Sequence, residues 1–329
     1  MSNQIASAIA HPNIALIKYW GNKDHELRIP ANGSISMTLD KLETRTTVYF
    51  NSSLIEDTLT LNQVPQKGPS LKRVCTVLDS IRKIADISSK AEVISESNFP
   101  LGAGIASSAS GFAALSVAAA SAAQLDLKPF ELSKIARIGS GSACRSVLGG
   151  YVEWKAGTNH DDSYALQLAE QDHWELIDLV VIVEKGHKTI GSTSGHKLAE
   201  TSPYQKARVQ DTKRRLEICR NAILLKDFHT LATIVEEDSN MMHAVMMTSN
   251  PQLLYWKPET ITVMKFVQDL RMEGMEVCFT IDAGPNVHCL CTPTYKDELS
   301  SMLQQLPGVL DVIHSSPGGA ARIIPLNGV

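Results

Sequence analysis

One charged residue interrupts an apolar stretch near the start of the chain. Lys18 follows Ile14-Ala-Leu-Ile and precedes Tyr-Trp, so an alternating strand would place it on the same face as Leu16 and Trp20. Burying an ammonium group is costly unless it has a partner. A carboxylate such as Asp282 would satisfy it and would itself be held ionised. The alternative is a lysine at a strand end whose amine reaches water.

Asp282 begins the sequence Asp-Ala-Gly-Pro, between two short apolar runs that predict strands. A tight turn at this point would present the carboxylate at an exposed strand end. There it could accept a hydroxyl proton as a general base. Aspartate also stabilises turns of this composition by bonding to its own backbone, so the local pattern leaves both interpretations open.

A glycine-rich segment reads Pro100-Leu-Gly102-Ala-Gly104-Ile-Ala-Ser107-Ser108. Its two glycines let the backbone approach an anion closely. The serines precede an Ala-rich run that predicts a helix, whose N-terminus favours phosphate. The segment is not a Walker loop, because no Lys-Ser/Thr follows, and it lacks the third glycine of a dinucleotide fingerprint. An ordinary turn capped by serine is the alternative.

Arg145 ends the run Gly139-Ser-Gly-Ser-Ala-Cys-Arg. A guanidinium group presents a planar pair of donors that matches a carboxylate. This residue could therefore bind a carboxylate substrate. An arginine that follows a Gly/Ser loop could equally form a surface ion pair, and the residue pattern does not separate the two.

Composition and charge exclude several classes of protein. The net charge of -4 over 329 residues gives no general attraction for nucleic acid or an anionic membrane, so any anion site must be local. The most apolar helical stretch, 112–125, is too short to span a bilayer. Residues 1–20 are too polar for a signal peptide. We therefore expect a cytoplasmic protein with no nucleic-acid or membrane partner.

The six cysteines include no CxxC pair, which is typical of reduced thiols in a cytosolic protein. Two of them, Cys289 and Cys291, flank a leucine and follow His288. On a strand the two cysteines would share a face while His288 points away. The pattern therefore predicts buried thiols rather than a metal site.

Hydrophobic periodicity predicts an α+β chain in two lobes, residues 1–185 and 186–329. Residues 70–87 have the apolar spacing of an amphipathic helix, and the apolar run 176–184 is typical of a strand covered on both faces. Further strands are predicted at 5–20, 44–50, 91–95, 151–154, 277–280, 287–291 and 321–324. Further helices are predicted at 109–124, 129–138, 204–224, 227–244, 258–273 and 295–306.

Together with the glycine-rich loop, four segments resemble, in the same order, the diphosphomevalonate decarboxylases of the GHMP kinase superfamily. They are His11-Pro-Asn-Ile-Ala-Leu-Ile-Lys-Tyr-Trp-Gly, Ser97-Asn-Phe-Pro, Gly139-Ser-Gly-Ser-Ala-Cys-Arg-Ser and Asp282-Ala-Gly-Pro-Asn. The resemblance runs from about residue 8 to 325. It implies a two-lobed GHMP kinase fold, with a ribosomal protein S5 domain 2-like N-terminal lobe and an α/β C-terminal lobe. It also implies a homodimer that uses ATP and Mg²⁺ to decarboxylate 5-diphosphomevalonate or 5-phosphomevalonate in the mevalonate pathway of isoprenoid biosynthesis.

The resemblance also implies roles for particular residues. Asp282 and Lys18 would assist phosphorylation of the C3 hydroxyl, and Arg145 would hold the substrate carboxylate. Nucleotide binding is implied for Asn98, Pro100, Gly102, Gly104, Ser107 and Ser108. Substrate binding is implied for Tyr19, Asn22, Lys23, Arg73, Ser140, Ser142, Arg145, Ser192 and His196. The protein ligand of Mg²⁺ stays open, with Ser107 or Ser108 as candidates.

The chain departs from the family pattern at two positions expected to face the substrate. The family usually reads Trp-Gly-Lys-Arg-Asp, whereas this chain reads Trp-Gly-Asn22-Lys23-Asp, and His196 stands where methionine is common. Losing a cation weakens attraction for a diphosphate more than for a monophosphate. These changes resemble phosphomevalonate decarboxylases, and we expect the monophosphate to be accepted, either alone or alongside the diphosphate. The alternative is neutral drift, with Lys23, Arg73 and Tyr19 still holding two phosphates.

Two other functions compete with this interpretation. A mevalonate 3-kinase of the same fold would stop at the phosphate ester, and a catalytically silent relative would bind ATP or a metabolite and regulate a partner. Arg145 and its complete Gly/Ser run argue against the kinase. The joint presence of Asp282, Lys18 and Arg145 argues against the silent relative.

Overall fold

The computed structural model describes residues 4–99, 107–186 and 191–326. In the first half of the chain the elements are β1 Ile5–Ala10, β2 Asn13–Ile17, β3 Asn22–Asp24, β4 Ile29–Pro30, β5 Ser34–Thr38, β6 Thr44–Asn51, β7 Thr58–Leu61, β8 Val64–Gln66, α1 Pro69–Ala85, β9 Lys90–Ser97, α2 Ser107–Ala122, α3 Pro129–Gly139, α4 Ala143–Ser146, β10 Tyr151–Trp154 and β11 Ala165–Ala169.

The second half contains β12 Ile177–Ile182, α5 Ser192–Leu198, α6 Gln205–Leu225, α7 Phe228–Met247, α8 Pro258–Met272, β13 Val277–Thr280, β14 Val287–Cys291, α9 Lys296–Gln304, β15 Asp311–Ser315 and β16 Arg322–Ile324. The predicted α+β fold is confirmed. None of the helices within the described ranges is long and apolar enough to cross a membrane.

A six-stranded sheet in the order β16-β1-β6-β9-β7-β8 supports the glycine-rich region. Strand β6 alternates buried and half-buried residues, as expected for a strand with one covered face. Its buried face packs on α1 and α2. Helix α2 is rich in alanine, and small side chains let it approach β1 and β6 closely. The start of α2 is thereby fixed beside the open end of the sheet.

Two further four-stranded sheets, β11-β10-β5-β2 and β13-β14-β12-β15, enclose helices α6 and α7. One apolar core contains residues of β2, β5, β12, α6 and α7. A second core lies between β12, β13 and β14 and the helices α8 and α9. Helix α7 therefore packs between the end of β2 and the turn that joins β13 to β14, which are the two places where Lys18 and Asp282 stand.

The predicted elements agree with the structure to within three residues at either end, with one exception. The strand expected at 5–20 is two strands, β1 and β2, and β2 ends at Ile17. Lys18 therefore lies just beyond the strand, and its predicted alternation with Leu16 and Trp20 is wrong. A register shift between Ala15 and Ile17 breaks the period of two on which that prediction rested.

The lobes share strands across the expected boundary. Strand β12 pairs with β14 and β15 of the C-terminal sheet, while β16, near the end of the chain, pairs with β1. The division into residues 1–185 and 186–329 stays a prediction. The prediction that Cys289 and Cys291 are buried is confirmed, because both side chains lie in the same apolar core. Nδ1 of His288 instead lies 2.7 Å from Oδ2 of Asp178.

Gly139 ends α3 against the ring of Phe112 in α2. A Cβ atom added at Gly139 would lie 2.1 Å from Cδ1 of Phe112, well inside van der Waals contact. We expect Gly139→Ala to lower the free energy of unfolding by about 1–3 kcal/mol through overpacking. Gly111→Ala is the control, because an added Cβ there meets nothing within 4 Å, and it should stabilise α2 by up to about 1 kcal/mol. Equal changes in denaturant-induced unfolding would contradict the argument.

Candidate active site

Lys18 and Asp282 form an ion pair at the junction of β2 with the β13–β14 turn. Nζ of Lys18 donates to Oδ1 of Asp282 at 2.6 Å, and the side chains are 1% and 26% exposed. Burial lowers the pKa of Lys18, while the nearby Asp282 and Asp238 carboxylates act in the opposite direction. The ammonium is thus enclosed, whereas the carboxylate is partly exposed. The region that Asp282 borders together with Arg145 and Tyr19 is the cleft referred to below.

Arg145 lies in the short helix α4 and is buried. Its Nε and one terminal nitrogen donate to Oδ1 of Asn13 at 3.3 and 3.0 Å, and its other terminal nitrogen donates to Ser34. Burial lowers the pKa of Arg145, and Asp282 lies close enough to raise it. Arg145 in turn lowers the pKa of Lys18. The three charged residues therefore form one electrostatic group.

Asn13 and Ser34 were not recognised in the sequence. Asn13 is in β2 and Ser34 in β5. Asn13 belongs to the motif that begins at His11, but neither its residue type nor that of Ser34 indicated a contact with Arg145. Asn13 also donates to the carbonyl of Ser142 at 3.1 Å and to Oγ of Ser146 at 2.7 Å. It therefore connects β2 to both ends of α4 and fixes the arginine between them.

Aromatic rings line the side of the cleft next to Lys18. The rings of Tyr19 and His196 stack with centroids 4.2 Å apart, and Tyr19 meets Trp154 edge-on at 4.7 Å. Gly141 packs directly on Tyr19, because a Cβ at that position would lie 2.5 Å from the ring. The Gly/Ser run before Arg145 thus needs glycine at residue 141 to admit the tyrosine.

The neighbouring part of the cleft is built from neutral groups. Asn22 is 3% exposed, and its Oδ1 accepts a hydrogen bond from the Tyr19 hydroxyl. Nδ1 of His196 accepts from the backbone N–H of Gly21 at 3.0 Å. Burial, and then the charge of Arg28, lower the pKa of His196 to about 3. His196 is therefore neutral at physiological pH and supplies no positive charge.

Three cations surround this neutral region. Arg28 donates from Nε to the carbonyl of Ile138 at 2.9 Å. Arg73 donates twice to the next carbonyl, that of Gly139, at 2.9 and 2.7 Å. Lys23 is exposed and donates to the carbonyl of Gly157 at 3.3 Å.

Arg28 was missed in the sequence because it follows a polar loop segment with no distinguishing pattern. Burial lowers the pKa of Arg28, and lowers that of Arg73 to about 10, with Arg28 a second cause for Arg73. Both guanidinium groups stay charged at neutral pH. Two positive charges therefore lie beside the Gly139–Ser140 turn.

A cavity of about 220 Å³ opens between β6, β9, α1 and α2. Its walls include Arg73, which lies over the ring of Phe112, and Ser108 in the first turn of α2. Oγ of Ser108 lies 3.1 Å from Oγ of Ser140, so the cavity continues toward the Gly/Ser run. A helix N-terminus beside such a cavity favours a phosphate group.

Several predicted binding residues lie apart from these contacts or outside the described part of the chain. Pro100, Gly102 and Gly104 are outside it, as is the side chain of Ser107. Asn98 accepts from the backbone N–H of Glu43 at 2.9 Å and donates to the carbonyl of Lys41 at 3.1 Å, so its amide is engaged with the chain. Ser192 is exposed at the start of α5. Ser142 precedes α4 and does join the site contacts, since its carbonyl accepts from Asn13.

Comparison with known proteins gives a consistent result over almost the whole chain. A diphosphomevalonate decarboxylase-like N-terminal domain matches residues 10–165, and a mevalonate 5-diphosphate decarboxylase C-terminal domain matches residues 178–317. Diphosphomevalonate decarboxylase mvd1 of Aspergillus fumigatus is 39% identical over 303 residues, which are 85% of this chain and 75% of that protein.

Solved structures agree. Mevalonate diphosphate decarboxylase from Staphylococcus aureus is similar with a TM-score of 0.92 and 38% identity, over 98% of both chains. A complex described as MDDEF with MVAPP, AMPPCP and magnesium is similar with a TM-score of 0.91 and 36% identity, over 97% of this chain and 98% of that one. The fold and its cleft are those of the two-lobed GHMP kinase superfamily. Within it, the chain belongs to the diphosphomevalonate decarboxylase family.

The buried His196 makes stability depend on pH. Its pKa is about 3 in the folded protein and 6.5 in the unfolded chain, so its contribution is complete above pH 6.5 and is lost as the pH falls toward 3. Over that range the free energy of unfolding should fall by up to about 1.4 kcal/mol per pH unit for this residue. His196→Asn should flatten the slope, and His229→Gln, on an exposed face of α7, should not. Parallel slopes for all three proteins would refute the assignment.

Proposed function

We propose that this protein is an ATP-dependent decarboxylase of phosphorylated mevalonate, with Asp282, Lys18 and Arg145 as its catalytic residues. Membership of the diphosphomevalonate decarboxylase family supports the reaction. The observation that carries the assignment of residues is the Lys18–Asp282 contact of 2.6 Å beside a buried arginine. The family resemblance also supports the cytoplasm as its location and a homodimer as its assembly.

The first step would be phosphorylation of the C3 hydroxyl. Asp282 accepts the hydroxyl proton, and the oxygen then bonds to the terminal phosphorus of ATP as ADP leaves. Lys18 stabilises the ionised carboxylate before the transfer and the negative charge that develops on oxygen during it. Because the transfer itself requires little covalent chemistry from the protein, catalysis depends on position and electrostatics.

The second step would release phosphate and CO₂. The C3–oxygen bond breaks with its electron pair on the departing phosphate, which leaves positive character at C3. The bond to the carboxyl carbon then breaks, its electrons form the new double bond, and CO₂ departs. Arg145 holds the carboxylate through a paired contact, and its own position is supported by Asn13 and Ser34.

The cavity between β6, β9, α1 and α2 is suited to the nucleotide. Leu59, Val93 and Leu115 provide apolar walls, and Ser108 and Arg73 provide donors. Among the described residues, no group of three or more His, Cys, Asp or Glu side chains could hold a metal ion. Mg²⁺ commonly binds substrate phosphates while keeping several waters, so a single serine hydroxyl, that of Ser107 or Ser108, would suffice as a protein ligand. The metal would neutralise charge on the transferring phosphate.

We further propose that the substrate is the monophosphate. The part of the cleft beside Tyr19 contains a neutral Asn22, engaged by the tyrosine hydroxyl, and a neutral His196. The two half-buried guanidinium groups, Arg28 and Arg73, lie beside the Gly139–Ser140 turn. Together they supply charge for one phosphate group. A second phosphate would lose its hydration beside neutral groups, and the free energy of that desolvation would exceed what the new contacts contribute.

Asp282→Asn tests the catalytic assignment. Loss of the proton acceptor should reduce turnover by about 100-fold or more, while nucleotide affinity changes little because the cavity lies elsewhere in the cleft. Formation of ADP and of CO₂ would be measured together, with nucleotide binding measured by calorimetry. Asp161→Asn is the control, since Asp161 is an exposed aspartate that also lies beside a cation, Lys134. ADP formation without CO₂ in the wild-type protein would instead indicate the simple kinase.

Steady-state kinetics on 5-phosphomevalonate and 5-diphosphomevalonate test the choice of substrate. We expect the higher kcat/KM with the monophosphate. Asn22→Lys should raise the ratio of kcat/KM for the diphosphate to that for the monophosphate by tenfold or more, because it places a cation in the neutral region beside Tyr19 and His196. Asn221→Lys, which adds the same charge on an exposed face of α6, should leave the ratio unchanged. A higher wild-type kcat/KM for the diphosphate than for the monophosphate would rule out the proposal.

A further inference from the structure

Helix α7 carries three polar residues that the proposed reaction does not use. Asp238, Ser239 and His243 are all buried. Buried polar groups are normally hydrogen-bonded, and these three contact the main chain on either side of the catalytic ion pair. The acidic run Glu236-Glu-Asp238 is typical of a solvated helix face, and this expectation is wrong because Glu236 and Asp238 are buried. The sequence indicated no role for Ser239 or His243, because their partners lie more than 30 residues away along the chain.

Asp238 holds the backbone of Lys18. Its Oδ2 accepts from the Lys18 backbone N–H at 2.6 Å. The Lys18 carbonyl accepts from a terminal nitrogen of Arg208 at 2.8 Å and from the amide of Asn32 at 2.8 Å. Both polar main-chain atoms of the lysine are therefore fixed by side chains, at the residue immediately after β2 ends.

Two buried arginines of α6 keep the Asp238 carboxylate in place. Terminal nitrogens of Arg208 and Arg215 lie 3.9 and 3.1 Å from its oxygens. A buried carboxylate needs such cations to offset its loss of hydration. Arg208 bonds to Lys18 and lies near Asp238, so the lysine backbone is enclosed by a charged group that spans two helices.

Ser239 and His243 hold the backbone next to Asp282. Oγ of Ser239 accepts from the Ile281 N–H at 3.0 Å, and Nε2 of His243 lies 3.2 Å from the Ile281 carbonyl. Burial lowers the pKa of His243 to about 3, so the ring is neutral. A neutral imidazole has one N–H, and the bond to a carbonyl requires that hydrogen on Nε2.

We propose that Asp238, Ser239 and His243 are positioning residues that align Lys18 with Asp282 by fixing the main chain at residues 18 and 281. Ser239 and His243 are four residues apart and so share a face of α7, with Asp238 adjacent. One rigid stretch of helix thus sets the separation of two segments that are remote in sequence. The proposal rests on the catalytic role given to the pair under the proposed function.

The relative position of Lys18 and Asp282 must be fixed through the main chain, because their side-chain torsions alone do not determine it. A lysine has four rotatable bonds, and a small displacement of a catalytic group can cost a hundredfold in rate. The ion pair fixes the charged ends of the two side chains, whereas α7 fixes the main chain from which they extend. Loss of the α7 contacts should therefore lower kcat and leave substrate and ATP KM nearly unchanged, since Arg145 and the nucleotide cavity are supported by other elements.

Ser239→Ala is the first test, with Ser133→Ala as its matched control. Ser133 is also a buried helical serine whose hydroxyl accepts a backbone N–H from another element, that of Ala165 at 2.9 Å. The two variants should lose similar stability in denaturant. Only Ser239→Ala should lose kcat, by tenfold or more, with KM values within twofold of wild type. Equal kcat in both variants would overturn the proposal.

His243 allows a test by conservative rescue. His243→Gln keeps an N–H donor at the reach of Nε2, whereas His243→Met fills similar space without one. The glutamine variant should retain at least a third of wild-type kcat, and the methionine variant should fall tenfold or more. Equal loss of kcat in both variants would show that packing rather than the bond to Ile281 matters, and would count against the proposal.

The pKa of Lys18 gives a readout that does not depend on turnover. It can be followed by NMR of protein labelled with 13C-lysine, in wild type, Ser239→Ala and Ser133→Ala. Because Asp282 raises the pKa of Lys18, misalignment should lower it in Ser239→Ala only. If wild type failed to turn over phosphorylated mevalonate, the proposed function would fail while this measurement still decided the alignment. An unchanged Lys18 pKa in Ser239→Ala would refute it.

Discussion

The contact between Lys18 and Asp282 is the interaction on which the cleft depends. It joins an ammonium that is almost wholly enclosed to a carboxylate that faces the cleft. An enclosed lysine without a partner would lose its proton or destabilise the fold. The pair therefore binds the end of β2 to the β13–β14 turn, and the same contact that stabilises the junction keeps an ionised carboxylate where a hydroxyl group can reach it.

Positive charge is distributed unevenly around this ion pair. Arg145 is buried and supported by Asn13 and Ser34, so it can hold a carboxylate without moving. Farther along the cleft, Asn22 and His196 are neutral, and positive charge returns with Arg28 and Arg73 beside the Gly139–Ser140 turn and with the exposed Lys23. Charge is thus concentrated where we propose a carboxylate and a single phosphate bind, and is absent between Tyr19 and His196.

The scaffold fixes these groups mainly through the backbone. Helix α7 contacts the chain at residues 18 and 281, and α6 supports α7 through Arg208 and Arg215. Close packing at Gly141 brings the loop onto Tyr19. The contact of α7 with residue 18, like the Lys18–Asp282 pair itself, joins opposite halves of the chain, so the cleft forms only when both halves have folded against each other.

The sequence by itself determined the elements and the family, since periodicity and ordered motifs are local properties. It also indicated that Lys18 needed a carboxylate, because its apolar neighbours are adjacent in the chain. The sequence named Asp282 as a candidate partner, but only the tertiary structure brings it to Lys18 from 264 residues away. The tertiary structure alone also places Lys18 beyond the strand, Arg28 beside the Gly139–Ser140 turn, and Asp238 and His243 against the main chain on either side of the ion pair. These residues lie in segments whose local pattern is ordinary, and their partners become neighbours only when distant backbone segments pack together.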